Sequence, residues 1–201
     1  MLKVGLTGSI AVGKSFVCEV LTELGAHVLD ADKTARDVLK AGTVGLQRVV
    51  SEFGEGILTP DGELDRPKMA SIVFADESKR QKLNSIVHPL VIEAQDLWIA
   101  ERELEDPKGI AVIDAALMIE SGGYTRFDKL VVVWCDSEVQ LERLKERNGF
   151  DDAEALRRIR SQMPQEEKKR FADYLIETNG GFEETRRRTI EVFGQLRLLS
   201  H

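Results

Sequence analysis

The segment from Gly8 to Ser15 reads Gly-Ser-Ile-Ala-Val-Gly-Lys-Ser and matches the pattern GxxxxGK[ST] in full. It follows the apolar run Leu2–Thr7, which is typical of a buried strand, and opens the amphipathic stretch Ser15–Leu24, which predicts a helix. A strand, a glycine-rich turn and a helix in this order gather backbone N–H groups and a positive helix end around one point. The segment therefore predicts a phosphate-binding loop of the Walker A type, with a plain glycine-rich turn as the alternative.

Each fixed position of this loop has a chemical reason. Gly8 and Gly13 permit backbone conformations and close approaches that a Cβ would hinder. Lys14 places a cation between the β- and γ-phosphates of a nucleotide, and Ser15 offers a hydroxyl to Mg²⁺. The candidate ATP-binding residues of the loop are Gly8, Ala11, Val12, Gly13, Lys14, Ser15 and Phe16.

The rest of the chain alternates short apolar runs with helical patterns, which indicates βαβ units and a parallel sheet. The sequence thus predicts a three-layer α/β fold of the P-loop NTPase type, with helices on both faces of the sheet. The predicted strands are Leu2–Thr7, Ala26–Leu29, Ile110–Ile113, Leu130–Trp134 and Tyr174–Ile176.

Between the second and third strands the sequence is mainly helical. The predicted helices there are Asp32–Leu39, Val44–Phe53, Pro67–Phe74 and Leu83–Leu104, with Pro89 either opening or kinking the last one. This is more helix than one crossover needs, so we expect residues 41–107 to form a helical substrate domain and residues 1–40 and 108–201 to form the core. Structural bulk without a pocket is the alternative.

A lid is predicted at about residues 148–165. Asp151 and Glu154 have capping-box spacing, and the helix that they open carries Arg157, Arg158 and Arg160. Positive groups on a lid can stabilise charge on a transferring group and exclude water. An exposed, solvated helix surface is the alternative for each single arginine.

Composition excludes several classes of protein. The 201 residues include 28 Lys and Arg against 35 Asp and Glu, a net charge of −7, which disfavours a nucleic-acid partner. No apolar run approaches the roughly 18 to 20 residues that cross a bilayer, so no membrane association is expected. The start of the chain has no signal-peptide pattern, and only Cys18 and Cys135 are present, which fits buried thiols in a reducing cytoplasm.

Two acidic positions are candidates for chemistry at the carboxyl edge of the sheet. Asp32, just after the second strand, can orient a hydroxyl and accept its proton, with Asp30 as the weaker candidate and an N-cap as the structural alternative. Asp114 ends the third strand in the Walker B pattern and is a candidate metal ligand, direct or through water. Glu120 lies slightly beyond it.

Absent motifs favour a kinase among P-loop proteins. The chain lacks an Asn-Lys-x-Asp string for reading guanine and an LSGGQ-like segment of transporter ATPases. Arg143 and Arg147 lie four apart on the helix predicted after the fourth strand and so share a face. A P-loop, a carboxylate and a set of arginines together favour phosphoryl transfer to an alcohol.

The sequence resembles the bacterial dephospho-coenzyme A kinases over nearly the whole chain. Each matching stretch is short, and their order and spacing make the set specific. These stretches are Val4–Gly8, Asp30–Asp32 with Arg36, Gly62–Arg66, Val73-Phe74, His88-Pro89, Ala116–Glu120, Gln140–Arg143 and Ala172–Asn179.

The resemblance implies that ATP phosphorylates the ribose 3′-hydroxyl of dephospho-CoA, giving CoA and ADP, the last step of coenzyme A biosynthesis. It implies Asp32 as the base, assisted by Lys14 and Arg143. Arg143 and Arg147 would lie on the ATP side and Asn179 near the adenine. Asp32, Arg36, Arg66 and His88 would bind the substrate, although a lone His beside Pro also fits a structural cap.

This chain departs from the family pattern at Ser9, Ala11, Val12 and Phe16 within and after the loop, and at Ala115-Ala116, where Val-Pro is frequent. The rival functions are another small-molecule kinase, such as a nucleoside or nucleotide kinase, and a nucleotide-dependent regulatory switch. We expect ATP and Mg²⁺ as cofactors, a small-molecule substrate as the partner, and a monomer or weak homo-oligomer.

Overall fold

The structure, a computed structural model, describes residues 1–200. It contains a sheet of five parallel strands in the order β2-β3-β1-β4-β5. The strands are β1 (Leu2–Thr7), β2 (His27–Asp30), β3 (Ile110–Asp114), β4 (Lys129–Trp134) and β5 (Tyr174–Glu177). The predicted parallel sheet and its five strands are confirmed.

Helices flank this sheet, so the predicted α/β fold is also confirmed. The α-helices of the described chain, in both parts of the molecule, are α1 (Lys14–Glu23), α2 (Ala31–Asp37), α3 (Val44–Phe53), α4 (Arg66–Ala75), α5 (Glu77–Glu105), α6 (Ser137–Asn148), α7 (Asp152–Arg160), α8 (Gln165–Lys169) and α9 (Gly181–Arg197).

The chain divides into two compact units, one made of residues 1–30 with residues from 101 onward, and one made of residues 31–100. The sequence predicts boundaries at residues 40/41 and 107/108, whereas the units divide at 30/31 and 100/101. α2 therefore belongs to the helical unit and not to the core. The role of the helical unit in binding substrate stays a prediction.

One apolar cluster of the first unit lies on one face of the sheet. Alternate residues of β1 point to this face because side chains of a strand alternate in direction. They pack in one cluster with apolar residues of α1 and α9, and burying each large aliphatic side chain contributes about 1.5–3 kcal/mol. The central members are Leu2, Val4, Leu6, Val17, Leu21, Phe193 and Leu196.

Gly5 marks the opposite face of β1, where the chain after β3 packs closely. A Cβ added at Gly5 would lie 2.5 Å from Sδ of Met118 and 2.9 Å from the ring of Phe127. Met118 and Phe127 therefore pack against the second face at this point, and the position requires glycine for close approach.

The helical unit has its own core, which contains Leu39, Leu46, Val49, Ile57, Leu64 and Met69. Thr43 caps α3 by accepting a hydrogen bond from the N–H of Leu46 at 3.2 Å. Asp65 caps α4 by accepting from the N–H of Lys68 at 3.0 Å. These caps satisfy N–H groups that a helix start leaves unpaired.

Three predicted helix and strand limits need correction. Ala26 belongs to the turn after α1, because its N–H donates to the carbonyl of Leu21 at 2.9 Å while Gly25 takes a φ of 95°, so β2 starts at His27. α5 begins at Glu77 and not at the predicted Leu83, so Pro89 lies inside the helix and does not open it. α2 begins at Ala31, which places Asp32 in its first turn and not at the N-cap.

None of the helices among residues 1–200 combines the length and the apolar character that crossing a bilayer requires.

Candidate active site

The P-loop connects the end of β1 to the start of α1 at the carboxyl edge of the sheet. Gly13 precedes the helix with a φ of 86°, a left-handed conformation that glycine adopts without cost. A Cβ at Gly8 would lie 2.6 Å from the carbonyl oxygen of Val133, so the loop also needs glycine there. At both fixed positions of the loop, local backbone geometry therefore requires glycine.

This loop lines a cleft of about 620 Å³, called the P-loop cleft below. All seven predicted ATP-binding residues of the loop line it, as do Arg143 and Arg147 of α6. Sequence reasoning missed several other residues of its wall: Ser9, Ile10, Ala116, Glu146, Gln162, Thr178, Gly181, Phe182 and Thr185.

Lys14 is paired with the carboxylate that ends β3. Its Nζ donates a hydrogen bond to Oδ1 of Asp114, and Sγ of Cys18 lies 3.4 Å from Oδ2 of the same carboxylate. Strand register explains why the two side chains meet, because Asp114 lies opposite Leu6 of β1, two residues before the loop begins at Gly8. On its other side Asp114 lies opposite Asp30 of β2. The predicted Walker B aspartate is therefore at the cradle.

Cys18 is affected by this carboxylate. Burial, and then the negative charge of Asp114, raise the pKa of its thiol far above the ordinary 9.0. The thiol is therefore a neutral hydrogen-bond donor at physiological pH. Cys18 and Cys135 are both free cysteines, as the sequence predicts.

Arg143 fastens the loop to the end of β5 through Thr178. Its Nη1 donates to Oγ1 of Thr178 at 2.8 Å and its Nη2 donates to the carbonyl oxygen of Thr178 at 2.7 Å. The Thr178 hydroxyl in turn donates to the carbonyl of Val12 at 2.8 Å. Thr178 is buried, and sequence reasoning selected its neighbour Asn179 instead.

Asn179 does not line the P-loop cleft. Its Oδ1 accepts from the N–H of Asp136 at 2.8 Å, and its Nδ2 donates to Oε1 of Glu177 at 2.9 Å. The side chain thus joins the loop after β4 to the end of β5, and the role near the adenine stays a prediction.

An aromatic pair forms another part of the wall. The rings of Phe16 and Phe182 meet edge to face with centroids 4.8 Å apart, and Phe182 is exposed. The guanidinium of Arg186 lies 5.9 Å from the centre of the Phe16 ring. An exposed aromatic beside a phosphate cradle is a surface on which a planar base can stack.

The predicted lid contains α7, and Asp151 caps it by accepting from the N–H of Glu154 at 2.8 Å. Arg157 and Arg158 are exposed and both pair with Glu154 of their own helix. Arg160 lines a second cavity of about 370 Å³. A function of these arginines in closing the site stays a prediction.

A buried lysine, Lys168, forms an ion pair with Glu120 that the sequence did not predict. Nζ of Lys168 lies 2.9 Å from Oε1 of Glu120 and donates to the carbonyl of Ala116 at 2.7 Å. The Lys168 side chain is 0% exposed and that of Glu120 24%. Glu120 also accepts from the N–H of Met163 at 3.1 Å, so it joins the loop after β3 to the segment between α7 and α8.

The four predicted substrate residues lie in the helical unit. Asp32 and Arg36 are exposed on α2, and Nη2 of Arg66 donates to the carbonyl of Arg36 at 3.1 Å. His88 is exposed within α5, so it does not cap a helix. None of the four lines the cavity of about 640 Å³ in this unit, whose wall includes Glu52, Phe53, Lys79 and Lys82.

No group of three or more His, Cys, Asp or Glu side chains among residues 1–200 could hold a metal ion. Mg²⁺ in nucleotide sites needs only one or two protein oxygens beside phosphates and water. Asp114 touches Lys14, and Ser15 follows Lys14 in the chain, so both oxygen donors belong to the surroundings of the cradle. They fit a Mg²⁺ ion that arrives with a nucleotide.

The fold and the site are those of a P-loop kinase. The phosphate loop follows β1 of a parallel sheet, Lys14 contacts the Walker B carboxylate of Asp114, and α6 adds arginines to the cleft. A model of the dephospho-CoA kinase family matches residues 2–184. The chain belongs to this family.

Curated relatives are similar over nearly their whole length. A dephospho-CoA kinase of Geobacillus kaustophilus is 45% identical over 196 residues, covering 96% of each chain. One of Geobacter sulfurreducens is 43% identical over 192 residues, covering 96% of this chain and 97% of the other. The predicted family and the predicted kinase activity are thereby confirmed.

Solved structures agree in fold. A Thermus thermophilus protein is 30% identical with a TM-score of 0.82, covering 97% of both chains. A dephospho-CoA kinase of Campylobacter jejuni has a TM-score of 0.63 at 24% identity and covers 96% of both chains. A shikimate kinase of Aquifex aeolicus has a TM-score of 0.51 at 14% identity and covers 96% of both chains, which extends the fold to P-loop kinases with another acceptor.

Proposed function

We propose that this enzyme transfers the γ-phosphoryl group of ATP to the ribose 3′-hydroxyl of dephospho-CoA, giving CoA and ADP. The observation that carries the proposal is the family match over residues 2–184 together with a complete phosphate cradle within it. The hydroxyl oxygen attacks the γ-phosphorus, the bond from this phosphorus to the β–γ bridging oxygen breaks, and the hydroxyl proton goes to a carboxylate.

The P-loop holds the donor nucleotide. Backbone N–H groups of the loop and the N-terminus of α1 bind the phosphates. Lys14 moves between two partners of negative charge, the Asp114 carboxylate that it contacts and the β- and γ-phosphates. Because phosphoryl transfer is stabilised mainly by placed positive charge, Lys14 and Arg143 are the main electrostatic groups of the core.

Ser15 and Asp114 hold the Mg²⁺ ion of the nucleotide, Ser15 through its hydroxyl and Asp114 directly or through water. The ion supplies charge neutralisation on the phosphate oxygens when bound. The remaining wall of the P-loop cleft, with Phe16, Phe182 and Arg147, receives the nucleoside part of ATP. Asn179, after the end of β5, contributes to the site near the adenine.

Asp32 is the base for the acceptor. Two residues after β2 ends at Asp30, it is exposed in the first turn of α2, where a carboxylate is stabilised by the helix N-terminus. A carboxylate that keeps its negative charge can orient the 3′-hydroxyl and take its proton late in the transfer. Arg36, Arg66 and His88 contribute contacts to dephospho-CoA, and the segment around α7 closes over the reacting groups.

An acceptor comparison tests the proposal. ADP release is measured with ATP and dephospho-CoA, with nucleosides, with nucleoside monophosphates and with no acceptor. We expect turnover with dephospho-CoA only, and a new phosphate on the 3′ oxygen by ³¹P NMR. Turnover with a nucleoside or nucleotide instead would assign another small-molecule kinase, and slow acceptor-independent hydrolysis would assign a regulatory switch.

A further inference from the structure

Both backbone polar groups of Ile10, inside the P-loop, are held by glutamine side chains. The N–H of Ile10 donates to Oε1 of Gln162 at 2.7 Å. The carbonyl of Ile10 accepts from Nε2 of Gln140 at 2.7 Å. Gln140 lies on α6 and is only 1% exposed. Its amide N–H₂ group is therefore shielded from water and donates to the carbonyl of Ile10 instead.

The next residue, Ala11, is the one non-glycine residue with a positive φ in the described chain, at 61°. L-residues avoid this left-handed region because their Cβ approaches the following carbonyl. Such conformations persist only where surrounding contacts hold them, and they cluster at functional sites. The hydrogen bond from Gln140 to the Ile10 carbonyl holds the peptide directly before Ala11.

The geometry of one peptide group links the two observations. The carbonyl of Ile10 and the N–H of Ala11 belong to the same trans peptide and point in opposite directions. Because the Ile10 carbonyl points at the Gln140 amide, the N–H of Ala11 on the other side of the same peptide points away from that amide. Ala11 lines the P-loop cleft, whereas Gln140 does not.

We propose that Gln140 is a positioning residue of the nucleotide site: it holds the peptide between Ile10 and Ala11 so that the Ala11 N–H faces the phosphates of ATP. Gln140 contacts no substrate and acts through the backbone. The inference rests on the proposed function only in requiring that the P-loop cleft binds ATP.

The Gln140 amide is itself held in one orientation. Its Oε1 accepts from Nε2 of Gln165 at 2.7 Å, and Oε1 of Gln165 accepts from the N–H of Cys135 at 3.1 Å. With its oxygen engaged, the Gln140 amide presents its N–H₂ group to Ile10. The same helix brings Arg143, three residues later on the same face, to Thr178, so α6 positions both the loop and its cation.

Gln140→Met is the test, because methionine keeps the length of the side chain and removes the donor. A negatively charged phosphate then loses one well-placed backbone N–H donor, which we expect to weaken ATP binding and raise the KM for ATP about tenfold to a hundredfold. The KM for dephospho-CoA should stay within about twofold, since the loss is on the donor side. ATP affinity is measured by calorimetry, separately from turnover.

Rescue by Ala11→Gly separates positioning from packing. Glycine takes a positive φ without a steric penalty, so the loop needs less external support. Gln140→Met/Ala11→Gly should therefore bind ATP several-fold more tightly than Gln140→Met alone. Gln165→Met, which frees the amide without removing it, should shift ATP affinity in the same direction by a smaller factor.

Thr189→Val is the matched control, because it removes another buried hydrogen bond, from Thr189 to the carbonyl of Thr185 at 2.7 Å, in α9. It should leave ATP affinity unchanged. Unchanged ATP affinity in Gln140→Met, an equal rise in both KM values, or a failed rescue by Ala11→Gly would each overturn the proposal. Since ATP binding is read directly, a wild-type enzyme that binds ATP but does not use dephospho-CoA would refute only the proposed function.

Discussion

The ammonium group of Lys14, at the start of α1, donates a hydrogen bond to Oδ1 of Asp114, at the end of β3. The two side chains are 17% and 14% exposed, so each charge is largely removed from water and satisfied by the other. Lys14 already has a strong ion-pair partner in Asp114. It can bind phosphates instead only if these offer comparable negative charge. The pair therefore places Lys14 at the cradle in a defined position.

Lys14→Met should lower kcat/KM about a hundredfold to a thousandfold, because one cation aimed at the transferring group is lost. Steady-state kinetics with ATP and dephospho-CoA measure this. Lys108→Met, at an exposed lysine, is the control and should behave like the wild type. A Lys14→Met enzyme with an unaffected rate would remove Lys14 from the mechanism.

Asp32→Asn should keep ATP affinity and lower kcat about a hundredfold to ten-thousandfold, because the amide cannot accept the proton of the hydroxyl. Single-turnover phosphoryl transfer and ATP binding are measured on the same preparation. Asp30→Asn, two residues earlier at the end of β2, is the matched control, and its loss should be much smaller. Full activity of Asp32→Asn would exclude it as the base.

The elements closest to the P-loop could be predicted from the sequence because their signals are local. An apolar run ended by a glycine-rich turn and an amphipathic helix fixes β1, the loop and α1 with little help from the rest of the chain. Asp114 could also be placed, since parallel strands end at one edge of the sheet and an acidic residue after an apolar run lies at that edge.

The residues that support the loop could not be found in this way. Thr178 meets Val12 across 166 positions of sequence, and Gln140 meets Ile10 across 130. A threonine after a strand and a glutamine on a helix are common, and only the folded chain shows that each binds a loop carbonyl. Asn179 was predicted in place of Thr178 because the resemblance names that position and nothing local distinguishes the two.

Thr178→Val should raise the KM for ATP by several-fold, because the carbonyl of Val12 and Nη1 of Arg143 both lose their partner. Arg143→Lys should lower kcat, since lysine cannot make both bonds to Thr178. Expressed as free energies from kcat/KM for ATP, the loss in the double variant should be smaller than the sum of the two single losses. The difference, the coupling energy, should be about 0.5–3 kcal/mol. Additive losses would mean that the two side chains act independently.

Lys168→Met should lower the free energy of unfolding by about 1–3 kcal/mol, because the carbonyl of Ala116 loses a buried donor and the partly exposed Glu120 loses its ion-pair partner. Urea denaturation measures this loss. Lys168→Met/Glu120→Gln should be closer to the wild type than the single variant, since the unpaired charge is then gone. Lys169→Met, on the same helix, breaks an exposed ion pair with Glu166 and should cost at most about 1 kcal/mol.

Stability at alkaline pH should depend on the thiol of Cys18. Its pKa in the folded chain is raised, first by burial and then by Asp114, above the ordinary thiol pKa of 9.0. Above that pH the unfolded chain releases a proton that the folded chain keeps, so unfolding becomes easier as pH rises, by up to about 1.4 kcal/mol per pH unit for one thiol. Below it both states keep the proton and the thiol contributes no slope.

Cys18→Ala isolates this contribution because other groups that titrate at high pH are common to both proteins. The free energies of unfolding of the wild type and of Cys18→Ala, measured in urea from about pH 8 to about pH 10, should converge as pH rises. Cys135→Ala should show the same trend, since burial also raises the pKa of Cys135. A constant difference between wild type and Cys18→Ala across this range would mean that the thiol ionises as readily in the folded protein, beside Asp114, as in the unfolded chain.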